Sequence, residues 1–143
     1  MVLKKLQIAS RIFKDEEKRL ASVLQGAQQD HLSAQVDLDR ALAYRAEYLE
    51  MSEGNLGMAS SLLKMKAARL FLTQVDNLVA QQREVVMRKK ETVESCSNLW
   101  MASYKKMRSI ETLIESSESA LRRGEEKREQ MQMDDRFLTR RMS

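Results

Sequence analysis

Residues 52–57 read Ser-Glu-Gly-Asn-Leu-Gly and form the densest group of helix-breaking residues in a chain of 143 residues. The whole sequence contains four glycines and no proline, whereas average usage would supply roughly ten and seven. Folds built from sheets need turn residues at every corner, so this composition excludes sandwiches, barrels and doubly wound sheets. The sequence therefore predicts a helical chain that bends once, close to Gly54.

An apolar repeat of seven residues runs along the chain on each side of this stretch. The row after it contains Met58, Met65, Leu72, Val79, Val86, Val93, Trp100, Met107, Ile114 and Leu121. The row before it contains Leu6, Phe13, Leu20, Ala27, Ala34, Ala41 and Tyr48. A strict repeat of this length is typical of a left-handed coiled coil. We predict an all-α fold, a long antiparallel two-helix coiled-coil hairpin whose second helix is longer than the first.

The predicted hairpin is a single domain over residues 1–143. Helix 1 is expected at about 3–50, the hinge at about 52–58 and helix 2 at about 59–138. With the bend at Gly54, Met1 would lie opposite residues around 107 of helix 2. The apolar residues Ile110, Ile114 and Leu121 would then have no partner in helix 1, and we expect another protein or self-association to cover them.

Polar residues occur on the rows that should form the seam. Each helix has a second core row, four positions after the first in helix 1 and three positions after the first in helix 2. This second row contains His31 in helix 1 and Gln82, Lys89 and Ser103 in helix 2. Each of them lowers stability but can fix the register of the two helices. Cys96 lies on the same row of helix 2, and as the single cysteine it cannot form an internal disulfide, which is typical of a reducing compartment.

The chemistry of several function classes is missing from the sequence. His31 is the only histidine, and no cysteine lies at metal-ligand spacing from it. There is no glycine-rich phosphate loop, and no apolar run approaches the roughly 20 residues of a membrane span. The net charge of +4 arises from 25 basic and 21 acidic residues that alternate along the chain, which argues against nucleic-acid binding. We therefore predict a binding or structural protein without enzymatic activity, cofactor or metal.

Two tyrosines mark a candidate binding surface. Tyr44 and Tyr48 are four residues apart and share one face of helix 1. We label the row of helix 1 that contains Tyr48 position d and the row of helix 2 that contains Leu72 position a. In this heptad frame Tyr44 is at position g, as are Phe71 and Leu78 of helix 2. The two g flanks of an antiparallel coiled coil lie on the same side, so the sequence predicts a partly exposed strip that carries Tyr44, Phe71 and Leu78.

The same residues carry a resemblance to a known family. Tyr44-Arg45-Ala46-Glu47-Tyr48, the hinge and the segment Phe71-Leu72-Thr73-Gln74-Val75 up to Gln82 resemble the FliJ family of bacterial flagellar export proteins. Trp100, Lys127-Arg128-Glu129-Gln130 and Asp134-Asp135 agree with it as well. The resemblance covers about residues 38–137. This chain departs from the family at Asp37, Ala41 and Leu78, where the family often has glutamine, leucine and alanine.

The resemblance implies a function in the flagellar type III export apparatus. Proteins of this family are similar to the stalk of rotary ATPases, insert into the ring of the export ATPase FliI and promote its assembly. They also bind the export-gate protein FlhA and escort flagellar export chaperones, which places them in the cytoplasm and peripherally at the inner membrane. The implied gate-binding residues are Tyr44, Tyr48, Phe71, Val75 and Gln82. A stalk presents its free ends to the ring, so the implied ring-binding residues are Lys4, Lys5, Arg11, Ile110, Ile114, Leu121, Arg122, Arg123, Lys127, Arg128 and Phe137.

Three other interpretations stay open at this point. The stalk protein of a virulence-type injectisome has a similar length and hairpin form. A generic coiled-coil scaffold would pair its heptads between chains and form a stable dimer or trimer. A basic protein that binds nucleic acid or a membrane surface would show steep salt dependence, and the alternating charges make this the weakest alternative.

Overall fold

The computed structural model describes residues 2–56 and 62–142, and all of these residues are helical. Helix α1 spans Val2–Leu56 and helix α2 spans Leu62–Met142. The two helices form an antiparallel hairpin in which α2, with 81 residues, is longer than α1, with 55. The predicted fold class is confirmed.

The first helix ends later than the sequence predicted. We expected a hinge at about 52–58, but α1 continues through Gly54 to Leu56. Residues 57 and 58 of the expected hinge lie outside the described residues. A glycine inside a helix costs only about 1 kcal/mol relative to alanine, so a single glycine does not end a long helix.

The chain divides into two compact units, and each contains a segment of both helices. The terminal unit consists of Met1–Leu20 and Trp100–Ser143, and the middle unit is Ala21–Leu99. Each unit therefore depends on contacts between residues that are far apart in the sequence.

Small side chains form the core of the middle unit. Ala27, Ala34 and Ala41 of α1 and Val75 and Val79 of α2 are at most 8% exposed. All five lie on the rows that the heptad repeat predicted for the seam. Alanine methyl groups let two helix backbones approach closely, and each buried methyl or methylene group contributes about 0.8 kcal/mol. The core of this unit is thin, and its stability is spread over many small contributions.

The seam of the terminal unit contains larger apolar side chains together with buried serines. Ser10 and Ser103 are 6% and 7% exposed. The apolar residues on the same rows are half-buried, namely Leu3, Leu6, Phe13, Leu20, Trp100, Met107, Ile110 and Ile114. The seven-residue repeat therefore predicted the inward face of both helices here as well.

The register of the terminal unit differs from the expected one. Lys14 Nζ lies 3.9 Å from Glu111 Oε1, and Ile114 lines a shallow groove together with Gln7 and Ser10 of α1. Ile110 is half-buried on the same side of α2. The expectation that Ile110 and Ile114 lack a partner in helix 1 is wrong. Contacts such as that of Glu17 with Trp100 place α1 residues opposite α2 residues about ten positions later than a bend at Gly54 would.

The end of α2 is exposed beyond this paired region. Leu121 is 54% exposed, and every residue from Arg122 to Arg141 is exposed except Gly124. We call residues 121–141 the tail. We expected α2 to continue beyond the end of α1 as a helix without a partner helix, and the tail agrees with this expectation. The part of α2 without a partner helix begins about ten residues later than the sequence suggested.

One polar atom in the seam of the middle unit has no hydrogen-bond partner. His31 is half-buried on a core row of α1, and its Nε2 atom is buried and unpaired. An unsatisfied buried polar atom costs roughly 1–3 kcal/mol. This agrees with the expectation that a polar residue on the seam lowers stability.

Replacing His31 by leucine should stabilise the protein, because it removes the unpaired nitrogen and adds apolar surface to the seam. We expect the free energy of unfolding to rise by about 1–2 kcal/mol in urea unfolding followed by far-UV circular dichroism. The control Gln29→Leu adds the same side chain at an exposed position of α1 and should change stability by less than about 0.5 kcal/mol. Lower stability in His31→Leu would contradict the assignment of a cost to the histidine.

Candidate partner-binding site

Three aromatic side chains meet across the two helices of the middle unit. The ring centroid of Phe71 lies 4.5 Å from that of Tyr48 and 6.3 Å from that of Tyr44, which it meets edge-on at 65°. Tyr48 and Phe71 are half-buried, whereas Tyr44 is 52% exposed. Edge-to-face pairs at this spacing contribute beyond the area they bury. The cluster therefore has a packed base and an exposed edge, and it brings Tyr44 and Phe71 to one side, as their g positions predicted.

Polar contacts connect the two helices next to this cluster. Arg45 Nε donates a hydrogen bond to Asp76 Oδ1 and forms an ion pair with it. The Tyr48 hydroxyl donates to the backbone carbonyl of Ala68 at 3.4 Å, which is a long and weak bond. Arg45 occupies a core row but is only half-buried, because its long side chain reaches a partner outside the seam. Sequence reasoning missed this ion pair, although an arginine on a core row is a signal that such a partner exists.

The five residues that the resemblance assigned to gate binding lie at different depths. Val75 is 4% exposed and belongs to the core. Tyr48, Phe71 and Gln82 are half-buried, and only Tyr44 exposes about half of its surface. Leu78, which the sequence placed on the same strip, is 44% exposed. This surface therefore exposes Tyr44 and Leu78 with the half-buried Phe71, while Val75 is buried in the seam.

A small groove opens beside Tyr48. It has a volume of roughly 280 Å³ and is lined by Tyr48, Leu49, Ser52, Met65, Ala68, Arg69 and Leu72. Leu49 and Arg69 occupy position e, so this groove lies on the other flank of the seam from Tyr44 and Phe71. Sequence reasoning did not identify it, although an apolar Leu49 at position e is the signal that could have done so.

A second cross-helix contact joins an acid to an indole in the terminal unit. Trp100 Nε1 donates a hydrogen bond of 2.9 Å to Glu17 Oε1. The ring of Trp100 also stacks on Tyr104, with 5.4 Å between the centroids and 27° between the planes. Glu17 lies on a core row and is half-buried. The indole N–H satisfies a carboxylate that would otherwise lose hydration without compensation, and the sequence did not predict this pairing.

The residues assigned to ring binding fall into two groups. Ile110 and Ile114 face α1 in the seam, so their side chains are not freely available. The remaining nine are exposed: Lys4, Lys5, Arg11, Leu121, Arg122, Arg123, Lys127, Arg128 and Phe137. The Arg141 guanidinium lies 5.4 Å from the centroid of the Phe137 ring, within the range of a cation–π interaction. Exposed apolar and basic side chains therefore occur together on the tail.

One exposed ion pair marks the surface of the terminal unit. Arg19 donates two hydrogen bonds to Glu16, at 2.7 and 3.1 Å. This hydrogen bonding lowers the pKa of the Glu16 carboxyl below its ordinary value, and the charges of Arg19 and Lys106 lower it further. Glu16 also raises the pKa of Arg19 through the same hydrogen bond. Exposed pairs of this kind contribute little to stability.

Features of other function classes are absent from the described parts of the chain. No group of three or more histidine, cysteine or acidic residues within 2–56 and 62–142 could hold a metal ion. Within the same residues, neither helix has a stretch that is apolar enough to cross a bilayer.

The sequence matches a known protein family over nearly its whole length. Residues 3–143 match the family described as Flagellar FliJ protein. No individual curated protein and no solved structure matches the chain. The resemblance carried by Tyr44, Phe71 and the segments around them therefore extends over both helices and the tail.

The Glu17–Trp100 contact should stabilise the terminal unit. Trp100→Phe keeps an aromatic ring on the seam but leaves the half-buried carboxylate without its donor, and we expect a loss of about 1–3 kcal/mol. In Glu17→Leu/Trp100→Phe no carboxylate needs a partner, so much of this loss should be recovered. Urea unfolding of the wild type, both single variants and the double variant measures the coupling energy. A coupling near zero would show that the hydrogen bond does not contribute.

Proposed function

The chain belongs to the FliJ family, whose members are components of the flagellar protein export apparatus. On that premise we propose that the chain is the stalk-like coiled coil of this apparatus. In this proposal its free ends enter the ring of the export ATPase FliI and promote ring assembly. A separate surface binds the export gate FlhA, so that one chain couples ATP hydrolysis to the gate. The chain also escorts flagellar export chaperones and works at the cytoplasmic face of the inner membrane.

The exposed aromatic edge of the middle unit is the observation that supports gate binding best. Tyr44 is half exposed and rests on Phe71, which is in turn packed on Tyr48. Tyrosine supplies a large contact area at a low cost in side-chain entropy, and aromatic anchors of this kind dominate many interfaces. Because the Arg45–Asp76 pair joins the two helices at the same level of the coil, on the opposite flank, the two helices that carry the edge are held together there.

The tail supports the assignment of the ring-binding end. Leu121, Met131, Met133, Phe137 and Leu138 are each more than half exposed. Arg122, Arg123, Lys127 and Arg128 lie among them and are exposed too. Clustered apolar residues that the protein leaves in water mark surfaces for other proteins. We therefore assign ring contact to the tail together with Lys4, Lys5 and Arg11, and we assign Ile110 and Ile114 to the seam that holds the tail in place.

Membership of this family also bears on the alternatives. The match is to the flagellar family, which favours the flagellar apparatus over the injectisome. A generic scaffold would pair the same heptads between chains, and a mass that rises with concentration would reveal it. In the proposed function the catalytic step belongs to FliI, and this chain acts by binding.

Removing the aromatic edge should weaken gate binding and leave the helices intact. In Tyr44→Ala/Phe71→Ala we expect the affinity for purified FlhA to fall at least about tenfold, which is about 1.4 kcal/mol. The control Leu63→Ala/Leu70→Ala removes two side chains that are 81% and 64% exposed on the outer face of α2 and should bind like the wild type. Circular dichroism must show equal helicity for all variants. Unchanged affinity in Tyr44→Ala/Phe71→Ala would remove the basis for the gate assignment.

Removing the tail should separate the two functions of the stalk. Deletion of residues 122–143 is expected to abolish stimulation of the FliI ATPase while binding to FlhA persists, because the deleted residues belong to the terminal unit and the aromatic edge to the middle unit. Phe137→Ala/Leu138→Ala tests the same surface without shortening the helix. Full stimulation by the truncated chain would show that the ends are assigned wrongly.

A further inference from the structure

One row of α2 is apolar although it lies beside the seam and not in it. In the middle unit, position g of α2 is occupied by Phe71, Leu78, Val85, Thr92 and Leu99. Leu78 and Leu99 are 44% and 58% exposed, and Phe71 and Val85 are half-buried. The two buried valines, Val75 and Val79, already supply the seam in this region. The g row therefore forms an apolar edge outside the two rows that build the seam.

Position g of α1 provides the other side of this edge. Tyr44 and Val23 are 52% and 45% exposed, and the contact between Tyr44 and Phe71 shows that the two g rows lie on one side. Between these two residues, the same row contains the exposed residues Asp30 and Asp37. Neither carboxylate forms an ion pair with any residue in the described ranges 2–56 and 62–142. We call Val23, Asp30, Asp37 and Tyr44 of α1 with Phe71, Leu78, Val85 and Leu99 of α2 the g strip.

The opposite flank of the middle unit has a different character. Position e of α2 reads Arg69, Asp76, Arg83, Lys90 and Ser97, which is polar and mostly basic. Asp76 on this flank is already paired with Arg45. Position e of α1, in contrast, includes the half-buried Leu42 and Leu49. Of the two rows of α2 that flank the seam, only the g row therefore offers apolar side chains to another molecule.

We propose that the g strip is a docking site for one helix of a partner protein, an amphipathic helix with apolar residues at heptad spacing and lysine or arginine beside them. The spacing supports a helix as the ligand, since apolar residues occupy four of the five heptad positions from Phe71 to Leu99 and so match another helix over about 40 Å. The charge supports basic flanking residues, because Asp30 and Asp37 have no cationic partner among the residues that the structure describes. A second copy of the chain is disfavoured, since a two-fold contact through the strip would bring two acidic rows together.

This inference rests on the proposed function, because the strip begins at the Tyr44–Phe71 edge assigned to the gate. The proposed contact surface extends along the coil from this edge to Val23 and Leu99.

Two labelled synthetic peptides test the proposal with the full chain. Each has four heptads with leucine at a and alanine at d, which limits self-association, and either lysine or glutamate at e and g. We expect the lysine peptide to bind roughly tenfold more tightly in fluorescence anisotropy at low salt. Leu78→Gln/Leu99→Gln should weaken its binding by a similar factor, and Asp30→Asn/Asp37→Asn should abolish the preference for lysine over glutamate.

Matched controls separate the strip from general surface effects. Leu63→Gln/Leu70→Gln changes exposed leucines on the outer face of α2, and Glu91→Gln/Glu94→Gln removes two exposed acids outside the strip. Both should bind the lysine peptide like the wild type. Leu78→Ala/Leu99→Ala replaces the glutamine variant if circular dichroism shows lost helicity.

Three outcomes would overturn the proposal. They are equal affinity for both peptides, unchanged affinity in the Leu78/Leu99 variant, and a concentration-dependent dimer that this variant converts to a monomer, which would make the strip a contact between copies. The Leu78/Leu99 variant leaves Tyr44 and Phe71 intact. If FlhA binding is lost in Tyr44→Ala/Phe71→Ala while the peptide test fails, the strip proposal alone is wrong. If FlhA binding is unaffected there while the peptides bind as expected, the gate assignment alone is wrong.

Discussion

The burial of one narrow seam is the constraint on which the rest of this structure depends. Two helices pack along a single line of contact. Only the side chains at positions a and d are therefore shielded from water by both helices. In the middle unit this line is built from Ala27, Ala34, Ala41, Val75 and Val79, and no large side chain among the described residues is fully buried. A core of this kind supplies many small contributions instead of a few large ones. It also leaves both flanks of every heptad available for other contacts.

The heptad rows could be predicted from the sequence, but the register could not. Residues as different as Val79, Trp100 and His31 lie inward because period and helix geometry determine which face they occupy. Sliding one helix by seven residues leaves the same rows in contact, so the periodicity does not identify which residue of α2 lies opposite a given residue of α1. Only the bend does, and Gly54 was the wrong marker for it, because α1 continues to Leu56. The pairing of Lys14 with Glu111 is a consequence that the repeat alone could not reveal.

In the candidate site, too, some features could be predicted from the sequence and others could not. The shared side of Tyr44 and Phe71 follows from their common g position, so it could be predicted. The burial of Val75 follows in the same way from its core row. The ion pair of Arg45 could not be predicted, because it depends on how far the side chain reaches across a particular register. Long polar residues on core rows are the signal to look for. Glu17 and Arg45 both lie at position a of α1. The long side chain of Arg45 reaches Asp76, and the large indole of Trp100 reaches Glu17.

His31 occupies the same row as Glu17 and Arg45 but has no partner for its buried Nε2 atom, and this contrast connects the seam to function. A polar seam residue lowers stability unless it is paired, yet it disfavours registers in which it would face a large apolar side chain. A protein with the proposed stalk function would bind partners at its ends and along its side, and it would need a defined register more than high stability. A two-helix coil has no space between its helices for a ligand, so any binding occurs on the flanks and the ends. The position of each flank is set by the register, so polar residues that fix the register of the seam also fix the side of the coil on which Tyr44, Phe71 and Leu78 lie.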